Sequence, residues 1–392
     1  MAEHLNVVVI GGGYAGVIAA NHLRLNRDVS ITLINPRPEF VERIRLHQLV
    51  TGSDDAVVAY PDILGEGINL LVDTAEHIDA AARTVTLGSG GTVAYDYLIY
   101  AVGSKGAELT VPGAAEFAHP ISELEHAEPL RAAVAALASG APVTVVGAGP
   151  TGIETAAELG EQGHTVTLAC GGPLGPYMSE PGRKSVAKRM RKLGVTVVDG
   201  PDSKVTEVRE RSVVLADGRE LTSAITIWTA GFDVPDLAAR SGLATDAIGR
   251  LLTDETLTSV DNPYIVAAGD AAAPSDSPLR MSCQAAIPLG AQAANTVLSR
   301  IAGTAPAALN QAFTGQCISL GRKSGIVQLA HLDDRVVPIY LAGRTAASVK
   351  EAVCKATVSF LAREARNPGS YFWIKGGKRA QRLAEAKAAA VR

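Results

Sequence analysis

Residues 6–16 read NVVVIGGGYAG, an apolar run followed by glycines at positions 11, 13 and 16. This pattern predicts a buried parallel strand that turns directly into a helix. Gly11 would permit the tight turn, Gly13 would let the backbone approach a pyrophosphate, and Gly16 would let the helix pack closely on the strand. Amide groups at the helix start would then hold the phosphates, so the stretch predicts a dinucleotide site.

The same glycine spacing occurs a second time. Residues 143–152 read VTVVGAGPTG, with Gly147, Gly149 and Gly152 after another apolar run and before another helical pattern. A single glycine pattern of this kind is weak support for a nucleotide site, whereas two copies in strand-helix-strand settings are strong support. We therefore expect two bound dinucleotides.

Length and composition place these motifs in an α/β enzyme. The chain has 392 residues, of which 47% are apolar, 19% charged and only 4% aromatic. This length exceeds what one hydrophobic core usually organises, so two or three domains are expected. No uninterrupted apolar run approaches the length of a membrane-spanning helix, and the first strand pattern starts too near the N-terminus for a signal peptide. The expected location is the cytoplasm.

Cysteine spacing argues against disulfide and metal chemistry. Cys170, Cys283, Cys317 and Cys354 are far apart and form no CxxC pair or metal-ligand pattern with histidine. No metal site is expected, and each cysteine is most simply a buried small side chain. Cys283 is a partial exception, because it falls in a segment that is expected to contact a cofactor.

Positive charge is concentrated at the C-terminal end. Residues 341–392 contain eleven Lys and Arg against three Glu, although the whole chain has a formal net charge of −4. Such a tail suits anionic lipid, an acidic partner or the acidic body of its own subunit, and a solvated charged face explains it equally well. A helix predicted over residues 345–366 would align Val349, Val353, Ala356 and Phe360 in a stripe, as for a core or dimer contact.

Several predicted strands end in turns of small residues. Asn35 stands where a ribose-binding residue belongs, and the strand before Ala101-Val102-Gly103 ends in a second such turn. A third strand ends at Gly269-Asp270, where a carboxylate can accept ribose or ribitol hydroxyls. Because carboxyl ends of parallel strands share one edge of a sheet, these turns predict a crevice there.

The second motif has an unusual ribose position. Cys170 ends the strand HTVTLA, and a thiol cannot hold a diol as a carboxylate does. Arg183 and Lys184 lie downstream and would suit a 2′-phosphate, although a basic solvated helix start explains them more simply.

The order of these motifs resembles that of two-dinucleotide-binding-domain flavoproteins. The chain looks most like the type II NADH dehydrogenase and apoptosis-inducing-factor-like branch of the pyridine nucleotide-disulfide oxidoreductases over about residues 5–300. The resemblance implies an α/β fold with two Rossmann-like domains, the second inserted in the first, and a smaller C-terminal α+β region. The implied segments are residues 1–121 and 253–305 for FAD, 122–252 for NAD(P)H, and 306–392 for a C-terminal interface domain with a basic helical tail.

The resemblance also implies site residues. Glu154, in the first turn of the second motif's helix, would lie near the nicotinamide, and Arg45 and His47 would place the acceptor or stabilise anionic flavin. A hydrogen-bonded structural role is the simpler explanation for His47 alone. Pro288 and Leu289 stand where quinone-reducing members often carry glutamines. The cofactor-binding residues expected by position are Gly11, Gly13, Tyr14, Ala15, Gly16, Asn35, Arg45, Ala75, Ala101, Val102, Gly103, Gly147, Gly149, Gly152, Gly231, Gly269, Asp270, Cys283 and Gln284.

The resulting hypothesis is an FAD-dependent oxidoreductase that passes hydride from NADH or NADPH to a quinone-like or other small organic acceptor. One alternative is an FAD-dependent oxidase or dehydrogenase of an organic metabolite with a vestigial nicotinamide site, and another is a flavin-bearing binding protein without turnover. Disulfide reductases of this architecture need an early cysteine pair, and no cysteine precedes Cys170. We expect a homodimer, no nucleic-acid partner and at most a weak membrane contact through the basic C-terminal region.

Overall fold

The computed structural model describes residues 4–390, so the ends of the expected first and last segments, residues 1–3, 391 and 392, lie outside it. The chain first forms a run of strands and short helices. Its elements are β1 (Leu5–Ile10), α1 (Tyr14–Leu23), β2 (Val29–Asn35), β3 (Glu39–Val41), α2 (Leu46–Thr51), β4 (Val57–Ala59), α3 (Tyr60–Ile63), β5 (Ile68–Val72), β6 (Ala75–Asp79), β7 (Thr84–Leu87), β8 (Thr92–Ala94), β9 (Tyr97–Tyr100), β10 (Lys105–Gly106) and α4 (Ala114–Phe117).

A second strand-helix unit follows, and the chain then adds the elements that complete the first. The second unit comprises β11 (Ala118–Pro120), α5 (Leu124–Ala135), β12 (Pro142–Val146), α6 (Pro150–Glu161), β13 (Thr165–Ala169), α7 (Glu180–Lys192), β14 (Thr196–Val198), β15 (Val205–Arg209), β16 (Ser212–Leu215), β17 (Glu220–Thr222), β18 (Ile225–Trp228) and β19 (Phe232–Asp233). The later elements are α8 (Leu237–Arg240), β20 (Leu251–Thr253), β21 (Ile265–Ala267), β22 (Ala272–Pro274), α9 (Cys283–Ile301), β23 (Gly315–Ser319), β24 (Gly325–Ala330), β25 (Val336–Gly343), α10 (Arg344–Arg366) and α11 (Arg379–Ala390).

Two parallel sheets form the framework, as the sequence predicts. The first has the strand order β21-β9-β1-β2-β5, and the second has the order β11-β18-β12-β13-β14. The chain leaves the first sheet after β9, builds the second sheet and returns to the first at β21, so the second domain is inserted in the first. The near-continuous Val, Ile and Leu runs of β1 and β12 suit strands that are covered on both faces. The expected α/β fold class is confirmed.

The expected domain boundaries stay predictions, and the packing favours earlier ones. Strand β11 already pairs with β18 of the second sheet, just before the expected boundary at residue 122. Leu237 and Leu251 pack in the same core as Val8 of β1, before the expected boundary at residue 253. The chain therefore crosses between the two cores a few residues before the first expected boundary and about sixteen residues before the second.

The C-terminal region is an antiparallel sheet of β23, β24 and β25 covered by the long helix α10. The predicted helix over residues 345–366 is confirmed by α10. The expected stripe is not a core face of this chain, because Val349, Val353 and Phe360 are each exposed by more than a third. Cys354 and Leu361 occupy the buried face instead, and α10 packs there against α1 and β24.

Candidate active site

The first glycine turn lies at the carboxyl edge of the first sheet. Gly11 has a φ of +103°, and a Cβ atom there would lie 2.3 Å from the carbonyl oxygen of Ala101 at the end of β9. A Cβ atom on Gly16 would lie 1.7 Å from the carbonyl oxygen of Gly11, so only glycine allows α1 to approach the turn. Gly13 instead faces open space, with no atom within 4 Å of an added Cβ. This is the arrangement that a pyrophosphate requires at a helix start.

Asn35 fixes this turn from the end of β2. Its Oδ1 atom accepts a hydrogen bond from the Gly12 amide at 2.9 Å, and its Nδ2 atom donates to the Arg37 carbonyl at 2.8 Å. The Tyr60 hydroxyl donates to the Gly12 carbonyl at 2.9 Å. The expected ribose-binding amide therefore also holds the glycine turn in place.

Two further strand ends meet the first glycine turn. Asp270 lies in a 3₁₀ turn, Gly269–Ala271, that follows β21, and its Oδ2 atom accepts a hydrogen bond from Ser104 Oγ at 2.7 Å. Ser104 follows the Ala101-Val102-Gly103 turn, and an added Cβ on Gly103 would meet no atom within 4 Å. We call the space bounded by these turns and the start of α1 the first crevice.

Arg43 is a residue that the sequence analysis did not assign. Its Nη1 atom donates to the carbonyl and hydroxyl oxygens of Ser104 at 2.7 and 2.9 Å, and its Nε atom donates to the Ser122 carbonyl at 3.1 Å. Burial lowers the pKa of Arg43, and the nearby Asp270 carboxylate opposes that effect. A partly buried cation beside Ser104 suits an anionic ligand in the first crevice.

Helix α9 closes the first crevice. Its first turn contains Cys283 and Gln284, and an added Cβ on Gly269 would lie 3.0 Å from Ala15 and 3.9 Å from Ala286. The Gln284 side chain donates to Thr314 Oγ1 at 2.8 Å.

The residues of the first crevice fit FAD. The Arg43 guanidinium, which donates to Ser104 at 2.7 Å, places a cation at the first crevice that suits the phosphates. Gly13 and Gly103 leave open space at the glycine turn for a phosphate-bearing group.

The second glycine turn repeats the first on the second sheet. Gly147 has a φ of +118°, an added Cβ on Gly152 would lie 2.0 Å from the Gly147 carbonyl oxygen, and Gly149 faces open space. Gly231 lies after β18 in a turn with a φ of +85°. Cys170 is buried at the end of β13, and burial raises the pKa of its thiol to about 12. A neutral thiol therefore stands at the second ribose position.

A buried ionic cluster lies between the second glycine turn and helix α10. Glu154 of α6 pairs through Oε1 with Lys350 Nζ at 3.0 Å and accepts a hydrogen bond from the Ser319 amide at 2.9 Å. Burial favours the neutral acid, but Lys350, His47 and the Ser319 amide together lower the pKa of Glu154 below its usual value. Burial opposes the charge of Lys350, but Glu154 together with Cys354 and Cys317 raises its pKa above the usual value.

His47 lies between two glutamates of α6. Its Nδ1 atom is 3.8 Å from Glu154 Oε2, and its Nε2 atom is 3.8 Å from Glu158 Oε1. Burial lowers the pKa of His47, and the two carboxylates only partly oppose that effect. The imidazole is thus held neutral at pH 7. We call Glu154, Glu158, His47, Ser319 and Lys350 the Glu154 cluster.

Lys350 links the Glu154 cluster to the first crevice. Burial raises the pKa of the Cys283 thiol, and the ammonium group of Lys350 opposes that rise. Cys283 begins the helix that contacts the Gly269 turn, so the charge of Lys350 acts at the edge of the first crevice.

Arg45 lies away from both glycine turns. Its guanidinium pairs with Glu42 at 3.3 Å, Glu351 at 3.1 Å and Asp54 at 3.4 Å, and it donates to Gln48 Oε1 at 2.8 Å. Burial would lower its pKa, but these carboxylates raise it. The contacts favour a role in fastening α10 to the segment before α2.

Replacing Arg45 by Ala separates this structural role from acceptor binding. The variant removes one partner of a largely buried charge cluster, so we expect it to lower the free energy of unfolding by about 3 kcal/mol. Thermal denaturation should show the loss while KM for the acceptor stays at the wild-type value. Arg131→Ala, which breaks an exposed pair with Asp55, is the control and should change neither. A large rise in KM at unchanged stability would support the expected role of Arg45 in placing the acceptor.

The sequence analysis did not assign Glu158, Lys350 or Ser319 to the site, and only Glu158 carries a local sequence signal. Glu158 lies one helical turn after Glu154, so helical periodicity places both carboxylates on one face. Lys350 and Ser319 come from distant segments, and no local pattern links them to Glu154. Ala75, expected at the cofactor, begins β6 and is half-buried in a pairing with Leu87 of β7.

Two dinucleotide turns, one on each of two sheets with the second inserted in the first, define a two-domain flavin and nicotinamide oxidoreductase. The family model described as pyridine nucleotide-disulphide oxidoreductase matches residues 5–312, and the chain belongs to this family. This confirms the resemblance inferred from the motifs, together with the expectation of an oxidoreductase that uses FAD and a nicotinamide dinucleotide.

The chain is also similar to characterised proteins. An NADH dehydrogenase-like protein of Mycobacterium tuberculosis is 32% identical over 325 residues, which cover 75% of this chain and 80% of that protein. A type II NADH:quinone oxidoreductase of the same organism is 29% identical over 347 residues, which cover 77% of this chain and 74% of that protein.

Solved structures share the fold. The sulfide:quinone oxidoreductase of Aquifex aeolicus superimposes with a TM-score of 0.79 at 22% identity and covers 92% of each chain. NDH2 of Plasmodium falciparum, solved in complex with NADH, superimposes with a TM-score of 0.76 at 15% identity over 95% of this chain and 100% of that one. At these identities the similarity establishes the architecture alone.

Proposed function

We propose that this protein oxidises NADH or NADPH and reduces a quinone-like acceptor. The observation that carries the proposal is the Glu154–Lys350 pair, which lies between a second nucleotide turn and the edge of the first crevice. The names of relatives that share about a third of their residues with this chain agree with this reaction. When bound, FAD supplies the hydride and electron-transfer chemistry between the two substrates.

The residues of the chain would bind and orient the reactants. Gly11, Gly13 and Gly16 would hold the FAD pyrophosphate with help from Arg43, and Asp270 would accept a ribitol hydroxyl. The second glycine turn would hold the nicotinamide dinucleotide.

We propose that the ionic cluster acts beside the reacting rings. Glu154 would fix the nicotinamide end, and Lys350 would stabilise negative charge that develops in the first crevice. Pro288 and Leu289 are buried in α9, so they offer no polar contact to an acceptor.

The first experiment is anaerobic stopped-flow mixing of the yellow protein with NADH and with NADPH in separate runs. We expect flavin absorbance to bleach with one or both, and the faster reaction identifies the preferred nucleotide. Addition of a short-chain quinone should restore the oxidised spectrum within the turnover time. Absence of bleaching by either nucleotide would overturn the proposal and favour the metabolite oxidase, with Cys170 marking a lost site.

The C-terminal region exposes apolar side chains that suit a partner surface. No described helix is long and apolar enough to cross a membrane. Strand β25, α10 and the segment after α10 expose Ile339, Leu341, Val349, Val353, Phe360, Phe372 and Ile374. We propose that this C-terminal apolar surface, next to the basic tail, makes a reversible membrane contact.

Sedimentation with anionic vesicles at low salt tests this contact. The protein should pellet with the vesicles, and Ile339→Asn should weaken pelleting more than Val260→Asn, which alters an equally exposed residue elsewhere. No pelleting, combined with a dimer in analytical ultracentrifugation that Ile339→Asn dissociates, would assign the surface to the expected homodimer instead.

A further inference from the structure

The proposed reaction has a proton requirement that the nucleotide alone does not meet. Conversion of a quinone to a quinol takes two electrons and two protons, whereas a hydride carries two electrons and one proton. One proton must therefore enter from water for each turnover. This inference rests on the proposed function, and it concerns the route by which that proton reaches the first crevice.

A line of buried polar groups, with two gaps of 3.8 Å on either side of His47, runs through the Glu154 cluster. His47 is 2% exposed, and each of its ring nitrogens faces one carboxylate, Glu154 on one side and Glu158 on the other. Ser319 Oγ lies 3.4 Å from His47 Nε2 and 3.3 Å from Glu154 Oε1, so it bridges the histidine and the inner glutamate. No other arrangement of one imidazole between two carboxylates occurs among the ion pairs of the described residues.

The outer end of this line reaches the protein surface. Glu158 Oε2 accepts hydrogen bonds from Thr51 Oγ1 at 2.6 Å and from Ser53 Oγ at 3.2 Å. Ser53 is exposed, and Thr51 Oγ1 also lies 3.4 Å from Ser53 Oγ. Arg322 Nη1 approaches Glu158 Oε1 at 3.5 Å from the partly exposed turn between β23 and β24. A carboxylate that is itself buried thus lies one hydroxyl away from water.

The inner end of the line reaches the first crevice. Glu154 pairs with Lys350 at 3.0 Å, and His47 follows by four residues Arg43, which donates to Ser104 of the first crevice at 2.7 Å. Glu154, His47, Ser319 and Glu158 come from α6, α2 and β23, which pack against one another. The polar groups therefore run from the surface at Ser53 to the Glu154–Lys350 pair.

We propose that His47 relays a proton from Glu158 to Glu154 and so supplies the proton that the acceptor needs. Protonated Glu158 gives its proton to His47 Nε2, so that the O–H bond breaks as the N–H bond forms. The proton on His47 Nδ1 then passes to Glu154, which gives it to the acceptor, and Glu158 regains a proton from water through the Thr51 and Ser53 hydroxyls. Rotation of the neutral ring returns its remaining proton to the side of Glu154 before the next turnover. Each transfer moves one proton between two heavy atoms, and no oxidant or reductant is consumed.

The electrostatics of the site suit this role. A relay histidine must be neutral before it accepts a proton, and burial lowers the pKa of His47 so that it is neutral at pH 7. Glu154 and Glu158 favour its protonated form, whereas Lys350 and Arg322 disfavour it. Because burial outweighs the two carboxylates, the protonated ring would be a short-lived intermediate. Both 3.8 Å gaps exceed a hydrogen bond, and such contacts often shorten only when the substrates are bound.

The test compares Glu158→Gln with Glu161→Gln. Glu161 lies on the same helix and also pairs with an arginine, Arg189 at 3.0 Å, but it does not contact His47. We expect Glu158→Gln to lower quinone turnover by about 10²-fold and to raise its solvent deuterium isotope effect. Reduction of ferricyanide, which takes electrons without protons, should stay at the wild-type rate. Glu161→Gln should leave quinone turnover, its isotope effect and the rate of ferricyanide reduction unchanged.

A second measurement does not depend on turnover. In ¹⁵N NMR of the resting yellow protein, with His47 assigned from a His47→Gln variant, the His47 ring should be neutral at pH 7. Its pKa should fall further in Glu158→Gln, because a carboxylate that favours the protonated ring is lost, and should not change in Glu161→Gln. If Glu158→Gln is poorly folded, Thr51→Val, which removes one hydroxyl of the path, should still slow quinone turnover relative to ferricyanide.

The outcomes separate the relay from the proposed function. Wild-type protein that reduces ferricyanide but no quinone would contradict the quinone-like acceptor. Wild-type protein that reduces quinone, together with Glu158→Gln at the wild-type rate and isotope effect, would overturn the relay and leave the proposed function intact. Equal losses with quinone and with ferricyanide would also overturn the relay, since they would show that Glu158 supports the structure alone.

Discussion

Gly16→Val is expected to yield protein without bound flavin. A Cβ atom at residue 16 would lie 1.7 Å from the carbonyl oxygen and 3.0 Å from the carbonyl carbon of Gly11, whose amide donates to the Ile34 carbonyl at 2.8 Å. Both contacts are backbone atoms, so no side chain can rotate away and the helix must move off the sheet. Overpacking of a core with flexible neighbours costs about 1–3 kcal/mol, and a rigid backbone contact costs more.

The flavin absorbance of the purified variant, per mole of protein, measures this effect. Gly91→Ala is the control, because Gly91 lies in a hairpin where the nearest atom to an added Cβ is 3.4 Å away. It should retain the wild-type flavin content and melting temperature. Gly13→Ala provides a second comparison, since its Cβ meets no protein atom and should weaken flavin binding while the protein remains folded. A yellow Gly16→Val protein with full flavin content would show that the first crevice does not bind FAD.

The glycine turns were predictable because their requirements are local. A tight turn, a close helix and an open phosphate position all follow from residues within one short stretch, and the structure places Gly11, Gly13 and Gly16 accordingly. The return of the chain to the first sheet was also predictable, but only through the family resemblance that the Gly269-Asp270 motif helps to carry.

The parts that were not predictable depend on contacts between distant segments. The periodicity of α10 predicted that Val349 and Val353 belong to a core or dimer stripe, yet Cys354 and Leu361 are the residues that face the core. The sequence pattern of a helix does not determine which of its faces the neighbouring elements will cover. Lys350 lies in the same helix and reaches Glu154, almost two hundred positions away, through the packing of α10 on the C-terminal sheet.

Arg43 and Arg45 show that the sequence does not predict the partners even of two neighbouring arginines. Both belong to one 3₁₀ turn, Arg43–Arg45, and the sequence analysis selected Arg45 for the site. The turn directs Arg43 to Ser104 beside the first crevice and Arg45 to Glu351 on α10. Two residues of one type, two positions apart, thus face different partners, and composition does not distinguish them.

Glu154→Gln is expected to impair both stability and catalysis. The variant leaves the buried ammonium of Lys350 without its carboxylate, and loss of one partner of a buried pair costs about 3–5 kcal/mol. Gln retains an oxygen that can accept the hydrogen bond from the Ser319 amide, so the change is one of charge more than of shape. Quinone turnover should fall by about 10²-fold or more, because a group that would transfer the proton is lost.

The pH dependence of the free energy of unfolding shows whether the Glu154→Gln variant loses stability through the missing charge. The pKa of Glu154 is lowered in the folded protein, so its contribution is present above the ordinary glutamate pKa of about 4.3 and is lost as the pH falls through the folded value. Urea unfolding of the wild type and of Glu154→Gln should therefore differ most at neutral pH and converge in acid. A difference that does not change with pH would show that the loss arises from packing and not from the missing charge.

Removal of both charges separates stability from catalysis. In the double variant Glu154→Gln, Lys350→Met, no buried charge is left without a partner, so most of the lost stability should return. Turnover should stay low, because the double variant still lacks the carboxylate that accepts a proton from His47 and the cation at the first crevice. Recovery of both stability and turnover would mean that the pair only supports the fold, and the reacting groups would then have to lie elsewhere along the crevice.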